Sequence, residues 1–324
     1  MRKAAFFDTK PYDTVWFDKL KDKYNIEIVY IQEKLSPETA HMARGCGAVV
    51  PFVNDDLCSE TIDTLVKEGV KAVAMRCAGY NNVDLKSAED RLKVYRVPAY
   101  SPYSVAEHAM TLLMTLNRKV HKTYYRAKQY NFTLKGLAGF DLVGKTVGVI
   151  GTGKIGQVFV NICKGFGMNI IAYDPYPVQG IKYVELDELF VSSDIISLHC
   201  PMTPENRHLI NKNTLSKMKD GVFIINTSRG GLVNTEDLLE ALKSGKVGAA
   251  GLDVYEREAG VFFEDKSDEI PTDETLKLLL ATPNVLITPH QAFLTEEALQ
   301  AIADTTLTNL ADFFAGKDND NMVK

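Results

Sequence analysis

The sequence predicts an α/β protein built on two parallel sheets. Three observations carry that expectation. Short runs rich in β-branched and aromatic residues recur along the chain, with helical patterns between them. The runs are apolar at successive positions rather than at every other one, as strands read when helices cover both faces of their sheet. They also fall into two series, separated by one long helical stretch. The length of 324 residues suits two domains at ~150 residues each.

The first series places strands near residues 4–7, 26–31, 48–53, 71–75 and 94–97. Helix signals lie between them, such as Ser36-Pro37-Glu38, a cap residue followed by proline at the first helical position. In the long helical stretch, Ser104 and Glu107 have capping-box spacing. The apolar pattern then continues through Leu112, Leu113, Leu116 and Val120 and predicts a single helix to about Gln129. The second series places strands near 146–150, 169–173, 195–199, 222–226, 249–254 and 285–288. The acidic stretch 264–274, with Pro271, reads as a solvated loop. A final helical pattern over 294–314 is read as returning the chain to the first domain. The expected division is therefore 1–100 plus 295–324 for one domain and 101–294 for the other.

Composition narrows the function. Hydrophobic residues make up 45% and charged residues 24%, which excludes wholesale disorder. Lysine and arginine number 37 against 42 acids. That balance speaks against nucleic-acid or anionic-membrane partners and leaves room for a local basic pocket for a small acid. No apolar run approaches the ~18 residues of a membrane helix, and the apolar residues near the N-terminus are too few for a signal peptide, so a cytoplasmic location is expected. The five cysteines, Cys46, Cys58, Cys77, Cys163 and Cys200, are odd in number and form no C-x-x-C. Neither a disulfide framework nor a metal site is expected.

Two glycine motifs stand out, and one is a decoy. Gly151-Thr152-Gly153-Lys154-Ile155-Gly156 follows the strand at 146–150 and opens a helical segment at 157–165. With strand, loop and helix in that order, G-x-G-x-x-G reads as a Rossmann dinucleotide loop. Gly151 permits the tight turn, Gly153 lets the backbone approach a pyrophosphate, and Gly156 lets helix and strand pack closely. Asp174, at the end of the next strand, lies 18 residues past Gly156, near the ~20 expected of an acid that binds the adenosine ribose. Its charge would repel a 2′-phosphate, so NAD is expected over NADP. The stretch from Gly139 to Thr146 matches the Walker A pattern, but it precedes a strand where a phosphate loop should follow one, and is read as a chance match.

Three later strand ends carry polar residues suited to chemistry. Arg229 follows the strand at 222–226, Glu258 follows the one at 249–254, and His290 closes the last. Ligands of open α/β sheets bind beyond the carboxyl ends of the strands. The residue types suit reduction of a 2-keto acid. A protonated histidine can donate to the carbonyl oxygen as negative charge grows there, and a carboxylate partner would hold the ring. An arginine can grip the substrate carboxylate through two hydrogen bonds. Taken singly, each has a blander reading as an ion-pair, solvated or turn residue; the joint placement downstream of a dinucleotide unit favours chemistry. The remaining histidines, His41, His108, His121, His199 and His208, show no such pattern, and His108 and His121 read as ordinary helix residues.

These motifs resemble those of the NAD-dependent D-2-hydroxyacid dehydrogenases, and within them the fermentative D-lactate dehydrogenases of bacteria. The resemblance spans essentially the whole chain. It rests on Arg76-Cys77-Ala78-Gly79-Tyr80-Asn81-Asn82-Val83-Asp84, Val97-Pro98-Ala99-Tyr100-Ser101-Pro102, Val105-Ala106-Glu107-His108, Asp174-Pro175-Tyr176-Pro177, His199-Cys200-Pro201-Met202-Thr203-Pro204-Glu205-Asn206 and His290-Gln291-Ala292-Phe293. It implies a Rossmann NAD-binding domain inserted into a smaller flavodoxin-like substrate domain, with a cleft between them, and assembly as a homodimer or homotetramer. By the same resemblance, Arg229 binds the substrate carboxylate, His290 is the acid/base and Glu258 its partner. Ala78 and Gly79 supply backbone N–H groups to the carboxylate, and Phe52 and Tyr100 wall the substrate pocket. Lys154, Ile155, Asp174, Cys200, Pro201, Asn206, Thr227, Ser228 and Asp253 are implied cofactor contacts, Asp253 near the nicotinamide amide. The segment 178–183 looks shorter than in many relatives, which bears on the adenine edge and not on the chemistry. The implied reaction interconverts pyruvate and D-lactate. The alternatives are a dehydrogenase of a bulkier, phenyllactate-type acid, or of a phosphorylated or branched one, and a NAD-sensing co-repressor, for which the chain offers no long tail or basic arm. Formate dehydrogenation would leave Glu258 and His290 unexplained.

Overall fold

The computed structural model describes residues 2–323; Met1 and Lys324, which end the expected first domain, lie outside the described residues. The chain divides into two compact units, Met1–Ser101 with Leu294–Lys324, and Pro102–Phe293.

In the first unit, β1 (Lys3–Phe6), β2 (Glu27–Tyr30), β3 (Ala48–Val50), β4 (Ala72–Ala74) and β5 (Lys93–Tyr95) form a sheet in the order β2-β1-β3-β4-β5. Every pairing is parallel, and the order is that of flavodoxin-like folds. Alternate residues serve opposite faces. Ala4, Phe6, Ala48 and Val50 pack under α1 (Pro11–Tyr24) and the C-terminal helix Glu296–Phe314. Ala5, Phe7, Val49 and Val73 pack under α2 (Ser59–Lys67) and the short α3 (Leu85–Ala88). A sheet covered on both sides explains the unbroken apolar runs.

The second unit opens with α4 (Pro102–Arg118) and α5 (Val120–Lys128). It continues through β6 (Thr146–Ile150), α6 (Lys154–Gly165), β7 (Asn169–Tyr173), α7 (Leu186–Ser192), β8 (Ile195–Leu198), α8 (Lys212–Lys217), β9 (Val222–Asn226), α9 (Thr235–Ser244), β10 (Val247–Leu252), α10 (Glu274–Ala281) and β11 (Val285–Ile287). The six strands are parallel in the order β11-β10-β9-β8-β6-β7. The winding reverses at β6, which has β7 on one side and β8 on the other, so the crevice past its carboxyl end is the place for a ligand. Helices α4 and α6 cover one face, against Val147, Val149, Ile195 and Ile225. The other face, with Ile150, Ile196, Leu198 and Ile224, is covered by α7 to α10.

Two sequence expectations need correction. The single helix of residues 104–129 is two helices. It starts at Pro102, so Ser104 lies buried inside the first turn rather than capping it. It breaks at Lys119, whose φ is +52°. The break has a cause in packing: α5 buries none of its residues, while Asn117 is spent on the returning chain, donating to the Phe140 carbonyl (2.8 Å) and accepting from its N–H (2.9 Å). The acidic stretch is exposed through Pro271, but its end is structural. Asp273 caps α10 by accepting from the N–H groups of Thr275 (3.0 Å) and Leu276 (3.1 Å). The Walker-like segment leads directly into β6 and opens no helix.

Candidate active site

The glycine loop is as tight as its composition suggests. Gly151 has a φ of +95°, and a Cβ there would stand 2.6 Å from the Cys200 nitrogen. A Cβ on Gly156 would stand 2.1 Å from the Gly151 carbonyl oxygen, so only glycine lets α6 close onto the loop. Gly153 caps α6 and faces open space where its side chain would be. The first N–H groups of α6 thus meet an uncrowded backbone, the setting in which a helix start holds a phosphate. Asp174 ties the end of β7 to this loop: its Oδ2 accepts from the Thr152 N–H (2.6 Å) and its Oδ1 from the Tyr176 N–H (2.8 Å). The Thr152 hydroxyl lies 2.7 Å from that of Tyr183, which places the short 178–183 segment against the same carboxylate. The backbone cradle and a carboxylate at the end of β7 both fit a dinucleotide.

Other predicted cofactor residues line the carboxyl edge of the same sheet. The Ser228 hydroxyl donates to the Cys200 carbonyl. Asn206 folds the loop after β8, donating to the Pro201 carbonyl (2.8 Å) and accepting from the Thr203 N–H (2.7 Å). Thr227 is buried, whereas Lys154 is exposed and Ile155 half-buried. His199 is half-buried against the loop, and desolvation pushes its pKa down to about 3.

Arg229 and Glu258 sit on neighbouring strand ends that meet closely. A Cβ on Gly230 would stand 2.1 Å from the Tyr255 carbonyl, so the glycine after Arg229 lets the two segments touch. Asn226 shapes the Arg229 turn by donating to the Arg229 carbonyl (2.9 Å) and accepting from the Ser228 N–H (3.0 Å). Glu258 is not a solvated loop acid. Its Oε1 lies 2.8 Å from His290 Nδ1 and its Oε2 accepts from the Tyr255 N–H (3.0 Å). The Phe263 ring lies 5.9 Å from the His290 ring.

His290 stands in an unusual backbone state, with φ at +54°. Asp253 holds the turn. This fully buried carboxylate accepts from the Thr288 hydroxyl (2.6 Å) and the N–H groups of Gln291 and Ala292 (both 2.9 Å). The His290 N–H in turn donates to the Asp253 carbonyl (2.8 Å). Sequence reasoning missed His108 here. Its Nε2 lies 3.0 Å from the Thr288 hydroxyl and 3.4 Å from Asp253. The available signal was its place on the apolar stripe of α4, between Val105 and Leu112, where a polar side chain needs a partner.

The four remaining candidates belong to the first unit. Phe52 is buried, with its ring 4.6 Å from the Arg76 guanidinium, its N–H on Asp55 (2.5 Å) and its carbonyl accepting from Asn82 (3.0 Å). Ala78 and Gly79 follow β4 and are half-buried, the Ala78 carbonyl accepting from Arg96 (3.3 Å) and that of Gly79 from the Cys77 thiol (3.2 Å). Tyr100 is half-buried.

Comparison with known proteins settles the family. Residues 110–292 match the model of the D-isomer specific 2-hydroxyacid dehydrogenase NAD-binding domain. The chain belongs to the D-isomer specific 2-hydroxyacid dehydrogenase family. NAD is therefore its cofactor, consistent with the glycine cradle and Asp174. A 2-hydroxyacid dehydrogenase homolog of Haemophilus influenzae is 52% identical over 99% of both chains. The D-lactate dehydrogenase of Escherichia coli is 50% identical over 97% of this chain and 98% of its own; its apo structure superposes with a TM-score of 0.92 over 99% of this chain and all of that one. A solved structure described as the pyruvate reductase of Chlamydomonas reinhardtii matches with a TM-score of 0.94 at 44% identity, over 98% of each chain. Among the described residues no helix is long and apolar enough to cross a membrane.

Proposed function

We propose that this enzyme interconverts pyruvate and D-lactate, with His290 as acid/base, Glu258 as its partner and Arg229 as the anchor of the substrate carboxylate. The observation that carries the assignment is the 2.8 Å pair between His290 Nδ1 and Glu258, on the carboxyl edge of the NAD-binding sheet. The relatives described as a D-lactate dehydrogenase and a pyruvate reductase support the choice of acid.

When bound, the cofactor would supply the hydride to carbon 2 of the acid as NADH and accept it as NAD+. The protein's part is to hold the acid and manage one proton. Glu258 accepts from the Nδ1 side of the ring, which leaves Nε2 for the substrate oxygen. In reduction, Nε2–H donates to the carbonyl oxygen as charge develops there; in oxidation, neutral Nε2 takes the hydroxyl proton. The Arg229 guanidinium binds the carboxylate through two parallel hydrogen bonds. Cofactor roles follow for Gly151, Gly153, Lys154, Ile155 and Gly156 at the pyrophosphate, Asp174 at the ribose, and Cys200, Pro201, Asn206, Thr227 and Ser228 along the sheet edge. A homodimer or homotetramer in the cytoplasm completes the proposal.

The test is turnover of a panel of 2-keto acids with NADH, with chiral analysis of the product. Pyruvate is expected to have the highest kcat/KM and to yield D-lactate. A higher kcat/KM for phenylpyruvate would overturn the choice of acid and leave the reaction class standing; L-lactate would overturn the D-stereochemistry of the assignment.

A further inference from the structure

We propose that His108 is a positioning residue for His290, acting from α4 through the Thr288 hydroxyl and the Asp253 carboxylate. The inference rests on the assignment of His290 as acid/base. It starts from a conformational problem: a non-glycine residue at φ +54° keeps that backbone only where its surroundings over-determine it. Here they do. The His290 N–H is shared between the carbonyls of Asp253 (2.8 Å) and Thr288 (2.9 Å). The next two N–H groups, of Gln291 and Ala292, end on separate oxygens of the Asp253 carboxylate.

Asp253 is thus the post on which the His290 turn hangs, and its own direction matters. An ionised carboxylate only accepts, and a hydroxyl has one proton to give. The Thr288 Oγ1 proton goes to Asp253 Oδ1, 2.6 Å away. The oxygen of Thr288 must then accept from His108 Nε2, 3.0 Å away. The geometry therefore fixes the donors: His108 Nε2–H donates to Thr288, the Thr288 O–H donates to Asp253, and the N–H groups of Gln291 and Ala292 beside His290 donate to the same carboxylate. Every member lies in the second unit. Without His108, the Thr288 hydroxyl is released to rotate, the carboxylate loses a directed donor, and the turn that aims the imidazole loosens. Arg229 and the glycine loop touch none of these atoms, so the grip on the substrate carboxylate and on the pyrophosphate stays as it is. His108 itself is not a catalytic residue.

The test compares His108→Leu, His108→Gln and Thr288→Val with wild type, measuring kcat, KM for pyruvate, NADH affinity by fluorescence and Tm. The glutamine amide nitrogen stands where Nε2 stands and restores the donor. His108→Leu and Thr288→Val are expected to lower kcat about tenfold, a modest misplacement of a catalytic group, with KM and NADH affinity within twofold. His108→Gln should recover most of kcat, and the Leu/Val double variant should lose no more than either single one. Wild-type kcat in His108→Leu or in Thr288→Val would overturn the proposal, as would equal losses in the Gln and Leu variants. If His108→Leu fails to fold, Thr288→Val, which is nearly isosteric, decides. His290→Asn is run beside them. If it keeps wild-type kcat, the acid/base assignment fails; if it is inactive while His108→Leu is unaffected, only the positioning chain fails.

Discussion

Glu258→Gln tests the electrostatics of the candidate site with almost no change of shape. In the native arrangement two donors meet one carboxylate: the His290 ring on Oε1 at 2.8 Å and the Tyr255 N–H on Oε2 at 3.0 Å. An amide has one acceptor oxygen, so glutamine satisfies one donor and turns its NH2 toward the other. If its oxygen keeps the Tyr255 N–H, His290 must present an unprotonated Nδ1 and carry its proton on Nε2 as a neutral ring. If its oxygen keeps His290, the Tyr255 N–H loses its partner. Either way a hydrogen bond to a charged group, worth ~1.5–3 kcal/mol, becomes at most a neutral one worth ~0.5–1.5. A loss of ~1–2 kcal/mol of transition-state stabilisation is a fall of roughly 5- to 30-fold in kcat/KM. The assay is NADH oxidation with pyruvate for wild type and Glu258→Gln, with Tm recorded for both. Activity within twofold of wild type would refute the reasoning and return Glu258 to the status of a loop acid.

Further outcomes follow from individual contacts. Gly156→Ala puts a Cβ 2.1 Å from the Gly151 carbonyl oxygen, and overpacking of this kind costs ~1–3 kcal/mol; Tm should fall by several degrees and NADH affinity by more than tenfold, whereas an unchanged NADH titration would contradict the fit of the loop. In the first unit, burial pushes the Asp55 carboxyl up from 3.8 to about 6. The fold therefore favours its protonated form, and that stabilisation is full below pH ~4 and is lost as pH rises through about 6. The stability gap between wild type and Asp55→Asn in urea should shrink by roughly 2 kcal/mol between pH 4.5 and 7.5; a gap that stays constant would show that the group does not titrate there.

Much of the fold is legible because its physics is local. Strands such as Thr146–Ile150 and Val222–Asn226 announce themselves by apolar runs that only a doubly covered sheet tolerates. The dinucleotide loop is legible because Gly151 and Gly156 answer steric demands that no other residue meets. The break at Lys119 is not, because it depends on Asn117 meeting Phe140, 23 residues on. Chain order places Arg229, Glu258 and His290 after successive strands, but that Glu258 touches His290 while Asp253 turns inward to hold the backbone is a matter of distances. His108 escaped for the same reason: its place on the apolar stripe of α4 asks for a partner, but that partner, Thr288, lies 180 residues away.

The central claim is that His290 moves the proton while the rest of the second unit holds the cofactor. His290→Asn, measured for pyruvate turnover and for NADH binding on the same preparation, tests it most directly. General acid–base groups contribute roughly 10²- to 10⁴-fold, so kcat should fall by at least ~100-fold while NADH affinity and Tm stay at their wild-type values. Turnover retained within tenfold, with NADH still bound, would contradict the account.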